Sequence, residues 1–146
     1  MSENRLTLEL VTPEKVAWSA PADMVVLPAF DGEMGVLTGH QPFLVQLKEG
    51  EVRVTEGGET RRFAVSGGFA EVKDNRISLF AETAEMSDQI DRERAKQALE
   101  RAKAEVLKPG LEPMQLAQIE AAIRRAQVRL RVARHGKGAP PFDGER

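Results

Sequence analysis

Apolar positions recur every second residue in the first part of the chain and every third or fourth residue behind it. Leu6, Leu8 and Leu10 alternate with Thr7 and Glu9, the period of a half-buried strand. Two further strands are predicted at 15–20 and 22–27, on either side of Pro21, and two more at 43–47 and 51–56. In the last of these Val52 and Val54 share a face. Gly57-Gly58 predicts a tight turn into 60–66, which aligns Phe63 with Val65, and Gly67-Gly68 predicts a break before 69–73. Asp74-Asn75 tolerates positive φ and leads into 76–81, with Ile77 and Leu79 inward. Short strands with turn signals every eight to twelve residues or so predict an antiparallel sandwich or barrel, with no βαβ rhythm.

The period changes near Glu85. Asp91 is a candidate N-cap for a helix from 92 to about 108, with Ala95, Ala98 or Leu99, Ala102 and Val106 on one stripe. Pro109-Gly110 ends it, and Pro113 suits the first turn of a second helix. There Leu116, Ile119, Ile123, Ala126, Leu130 and Ala133 follow at intervals of 3, 4, 3, 4 and 3, a coiled-coil seam. A loop this short makes the pair an antiparallel hairpin. The expected fold is therefore mainly β plus α: a β-sandwich over 1–86, a two-helix hairpin over 87–134 and a disordered tail over 135–146. Much of the seam is alanine, and a methyl contributes only about 0.8 kcal/mol on burial. The hairpin is thus expected to dock on the sandwich with only a few kcal/mol.

Charge divides at the same place. Residues 1–85 hold 8 Lys and Arg against 14 Asp and Glu, a net −6, whereas 86–146 hold 13 against 9, a net +4. The overall balance of −2 argues against general attraction to nucleic acid and leaves the helical arm as the basic surface. With no Cys in 146 residues, disulfides, zinc thiolates and a thiol nucleophile drop out. The stretch at 24–30 is interrupted by Pro28 and falls short of the ~20 apolar residues of a membrane-spanning helix. The first residues predict neither a secretory signal nor a transit segment, so a soluble protein of a reducing compartment is expected.

Catalytic constellations are lacking. His40 and His135 stand alone, and the glycine-rich 31–39 has neither of the spacings that cradle pyrophosphate, so it is read as a chain reversal. The acidic pairs Glu49/Glu51 and Glu56/Glu59 flank turns and are read as solvated, and no metal set is seen. Arg94 and Arg101 share a face of the first helix, and Arg125 and Arg129 share one on the second. These four guanidiniums either converge on phosphate oxygens or form a solvated basic face with pairs such as Glu120–Arg124. Spacing alone favours the second.

Several strings are more specific. Val11-Thr12-Pro13-Glu14-Lys15, Asp31-Gly32-Glu33-Met34-Gly35-Val36-Leu37, Gly39-His40-Gln41-Pro42 and Val65-Ser66-Gly67-Gly68-Phe69-Ala70-Glu71-Val72 occur in that order. Ile90-Asp91-Arg92-Glu93-Arg94-Ala95 and Arg125-Ala126-Gln127-Val128-Arg129-Leu130 follow in the arm. Together these strings, which span roughly residues 5–134, strongly resemble the ε subunits of bacterial rotary ATP synthases.

The resemblance implies a sandwich of about ten strands followed by a helical hairpin. It also implies a non-catalytic, peripheral subunit on the cytoplasmic side of the bacterial inner membrane. In that family the sandwich sits on the γ subunit and the c-ring and couples their rotation to the central stalk. Glu33 corresponds to a position facing the c-ring and His40 to one facing γ. The arm packs on the sandwich or extends along γ into the α/β hexamer, where it blocks ATP hydrolysis. A basic second helix suits an acidic loop there. No cofactor is required, but ATP is implied as a regulatory ligand of the folded arm. The matching positions are Glu85, Ile90, Asp91, Arg94, Ala95, Arg101, Arg125 and Arg129, with the arginines holding phosphates. Two other classes compete with this reading: a free-standing sandwich and coiled-coil adaptor, and a small hydrolase, which needs a nucleophile–base set that is not seen.

Overall fold

The computed structural model describes residues 5–14 and 16–135. Eight strands, β1 (Leu6–Val11), β2 (Val16–Ala22), β3 (Met24–Ala29), β4 (Gly32–Leu37), β5 (Phe43–Glu56), β6 (Glu59–Lys73), β7 (Arg76–Ala81) and β8 (Ala84–Met86), precede two helices, α1 (Arg92–Val106) and α2 (Pro113–Arg134). The strands form one sheet in the order β2-β1-β7-β6-β5-β3-β4, with β8 pairing β6 to the side. All ladders are antiparallel except β1 with β7. Leu6, Leu8 and Leu10 meet Val25, Leu27, Val36, Val52, Val54, Phe63, Val65, Ile77 and Leu79 in a single buried cluster. One sheet can gather one side of nearly every strand into one core only by curling over itself. This is how the period-2 pattern becomes the expected sandwich, with eight strands among the described residues, close to the ten expected.

Both tight turns expected from sequence are present. Gly57 and Gly58 have φ of 60° and 84° between Glu56 and Glu59, which face each other in the ladder. Asp74 and Asn75 have φ of 54° and 60° between Lys73 and Arg76. Two central residues with positive φ match the twist of a two-residue hairpin.

Three expectations change. The glycine-rich 31–39 is not merely a reversal: Gly32–Leu37 is strand β4, paired along its length with β3. β5 runs unbroken through 48–50, where a stop was expected, and β6 runs unbroken through Gly67-Gly68. Gly67 and Gly68 have φ of 98° and 113°, and a side chain on Gly68 would collide with the Phe80 carbonyl. The glycines therefore bend one long strand rather than end it. Before the bend β6 pairs β8, and from Gly68 it pairs β7.

Asp91 Oδ1 accepts from Arg94 N at 3.1 Å and caps α1. Gly110, with φ of 81°, lies between the helices, and Pro113 opens α2. The expected tail over 135–146 falls outside the described residues after His135, which is the C-cap of α2.

Candidate functional site

Alternation along the strands dictates the face on which the arm rests. Val52, Val54, Phe63 and Val65 point into the core, so Glu51, Arg53, Arg62, Ala64 and Ser66 emerge on the opposite side. Glu85 of β8 stands opposite Ala64 in the ladder and joins them. The helix that packs on β5 and β6 is α2. Val128 and Val132 of α2 close over Ala64 and Ile90, with Ala133 beside them, in a second, small apolar cluster. Ala95, Ala102 and Ala126 are the other buried positions of the hairpin, where α1 lies along α2.

Around this cluster the contacts are ionic. Arg129 donates to Glu85 through Nε at 2.7 Å and Nη2 at 3.1 Å, a two-pronged pair with both side chains about two-thirds buried. Arg124 Nε lies 3.5 Å from Glu49, so it reaches across to the sandwich rather than along its helix to Glu120. At the end of α2, His135 Nδ1 lies 3.4 Å from Glu51 Oε2. Glu51 is 5% exposed and Arg62 4%, with Arg62 Nε 3.4 Å from the same oxygen. Arg53 bridges Glu51 to Glu33, with Glu33 receiving hydrogen bonds of 2.9 and 3.1 Å. Those bonds hold the Glu33 carboxyl below the ordinary glutamate value against partial burial, helped by the charges of Arg53, Arg131 and Lys48. In turn Glu33 raises Arg53, whereas burial lowers Arg62.

The residues singled out by sequence thus separate into groups. Glu85 and Arg129 come together, Ile90 lies in the cluster beneath α2, and Asp91 and Ala95 form the first turn of α1. Arg94, Arg101 and Arg125 are exposed, and among the described residues their side chains form no ion pair. Glu33 lies at the edge of the arm's seat, within reach of the charge of Arg131. His40 is elsewhere, with its ring against Phe43 at 4.8 Å and Nδ1 2.9 Å from the Gln41 carbonyl oxygen. Sequence reasoning missed Val128, Val132, Glu51 and Arg62. The two valines are spaced i, i+4 outside the seam, a second stripe that was readable. Glu51 read as a solvated acid flanking a turn because nothing in the strand shows that a helix will cover it.

Among the described residues no helix is long and apolar enough to cross a membrane, and no group of His, Cys, Asp or Glu is placed to hold a metal ion.

Residues 5–87 match the family model of the ATP synthase delta/epsilon chain β-sandwich domain, and 88–134 match that of its long α-helix domain. The ATP synthase epsilon chain of Desulforamulus reducens is 47% identical over 126 residues, covering 86% of this chain and 95% of that one. That of Symbiobacterium thermophilum is 44% identical, covering 88% and 92%. Among solved structures, a chain of the Euglena gracilis mitochondrial ATP synthase, in an assembly of OSCP, F1 and c-ring, superposes with a TM-score of 0.77. It is 30% identical, covering 89% of this chain and 81% of that chain. A chain of the Tetrahymena thermophila central stalk and c-ring shares the fold at a TM-score of 0.59 and 12% identity. The curled sheet and the docked helical pair behind it thus each have their counterpart in one lineage, and the chain belongs to the ATP synthase delta/epsilon chain family.

Proposed function

We propose that this chain is a non-catalytic subunit of the ATP synthase central stalk, in which residues 1–86 anchor and 87–134 regulate. The sandwich holds the γ subunit and the c-ring and transmits their rotation, with Glu33 on the c-ring side and His40 on the γ side. The arm lies on the sandwich in one state and extends along γ into the α/β hexamer in the other, where it inhibits ATP hydrolysis. In this role the chain is peripheral to a bacterial inner membrane, on its cytoplasmic side.

One observation carries this reading: the arm is seated by a small apolar cluster and partly solvated ion pairs rather than by a continuous core. Partly exposed pairs contribute at most about 1 kcal/mol each. A contact of this size can be exchanged for another of comparable strength on a partner. A ligand that binds only the docked form biases the exchange by its differential affinity. ATP is proposed as that ligand, with Arg94, Arg101 and Arg125 supplying cationic forks. Arg129 would have to share itself between phosphate and Glu85.

The test is reconstitution with γ and the α/β hexamer. The expected result is co-purification with γ and ATP hydrolysis that slows when the chain is added. A chain that ignores γ and leaves hydrolysis unchanged would instead be a free-standing adaptor. For the ligand, calorimetry on the isolated chain should show ATP binding that Arg125→Ala weakens at least about tenfold, since charge-assisted contacts contribute roughly 1.5–3 kcal/mol. No heat at millimolar ATP would remove the nucleotide from the account.

A further inference from the structure

The centre of the arm's seat is charged where a merely adhesive surface would be apolar. Glu51 and Arg62 are the two buried charged residues of the described chain. They lie on neighbouring strands as a diagonal pair on one face, two residues out of direct register, since Glu51 faces Ala64 and Arg62 faces Arg53. Their contact is imperfect. Arg62 Nε stands 3.4 Å from Glu51 Oε2 without hydrogen-bond geometry, and Nε and Nη2 are both buried with no hydrogen-bond partner among the described residues. Glu51 is better supplied, by Arg53 Nη1 and His135 Nδ1, each at 3.4 Å. These are long bonds, whereas charged partners ordinarily approach to about 2.7–2.9 Å.

Both residues point to the face on which α2 lies, and His135 at the end of α2 touches Glu51 directly. Ala64, two residues along β6 on that face, is buried by Val128 and Val132. Glu51 and Arg62 are therefore buried on the face over which the arm packs. Stripping water from an ion pair is often not recovered by the attraction between its members, especially when the remaining donors lack partners.

We propose that the Glu51–Arg62 pair is a built-in release device, a buried load imposed by docking and relieved when the arm swings away. Val128, Val132 and the Arg129–Glu85 pair hold the arm down, and the charged centre keeps that hold shallow. The same apolar seat with an apolar centre would be a permanent one. The inference rests on the proposed two positions of the arm and names what balances them.

Because the chain has no cysteine, dyes placed through Glu59→Cys at the start of β6 and Glu105→Cys on α1 report the arm's position by single-molecule energy transfer. Docked and extended populations are counted in the complex reconstituted with γ and the α/β hexamer. Replacing both charges, in Glu51→Leu/Arg62→Met, is expected to raise the docked-to-extended ratio about tenfold. Glu51→Gln alone strands a buried guanidinium and should lower the ratio about tenfold. His135→Ala leaves the sandwich intact and removes one donor from Glu51, so it should lower the ratio about threefold and serves if the double variant does not fold. A double variant with an unchanged or lower ratio overturns the device while leaving the two positions standing, as does an unaffected ratio in His135→Ala. An arm found in one position in every variant instead overturns the movement itself, and the device with it.

Discussion

A side chain's charge says little until its neighbours across the sheet are known. Glu33 lies in a segment read from sequence as a reversal, and Glu51 at the start of a predicted strand, where it was read as a solvated acid flanking a turn. Glu33 is exposed yet firmly held by Arg53, whereas Glu51 lies nearly closed off from solvent beneath a helix. Their linear surroundings do not distinguish them. The turns at Gly57-Gly58 and Asp74-Asn75 were legible because the requirement is local: positive φ at two successive residues. The Glu33–Arg53 pair supplies a prediction at this scale. The carboxyl is lowered in the folded chain, chiefly by the Arg53 hydrogen bonds. Its contribution to stability is therefore complete above the ordinary glutamate value of 4.5 and is lost as pH falls through the lowered folded value. Melting curves of the unmodified chain and Glu33→Gln should accordingly be separated at neutral pH and converge in acid. A separation that persists at the acid end would show that the carboxylate's charge is not what Arg53 uses.

Strands and helices were legible in proportion to how much of each was decided by its own period. β1, β7 and both helices follow their patterns directly, and Asp91 and Pro113 mark the helix starts as capping rules require. The long β5 and β6 were divided because glycine usually interrupts a strand, and here the interruption is a bend that lets one strand serve two neighbours. α2 was seen as a single seam, yet it has two faces, one toward α1 and one toward the sheet. The second is small enough to depend on one residue. Val132 is fully buried in the cluster with Ala64, Ile90 and Val128. Val132→Ala should weaken docking by about 2 kcal/mol, the sum of lost transfer and an unfilled cavity, or about thirtyfold in the docking equilibrium. The sandwich core contains none of these residues, so its melting temperature should not move. Energy transfer across the docked arm reads the first effect and near-ultraviolet dichroism at Trp18, which packs on Phe63, reads the second. Equal losses in both would mean that arm and sandwich fold as one cooperative unit and that the arm is not separable.

Across the whole molecule the sequence divides charge between the two parts, and the fold turns that division into a contact. The acidic first part and the basic second part meet where Arg124 faces Glu49, Arg129 faces Glu85, and the field of Arg131 reaches Glu33. Net charge alone revealed the complementarity, but not that it would be satisfied within one chain; a basic arm suits an acidic partner equally well. On the proposed two positions of the arm the same cations serve two competing surfaces, and salt should act on both. At about 0.01 M salt the screening length is roughly 30 Å, and at 1 M about 3 Å. For the isolated chain, docking should weaken as salt rises and then level off, because salt does not weaken the Val128–Val132 cluster. The levelling matters as much as the fall. An arm held by charge alone would go on loosening, and one held by apolar contact alone would tighten as salt strengthens burial. A fall to a plateau, which Val132→Ala lowers and Arg129→Gln flattens from above, is the signature of an arm held by both.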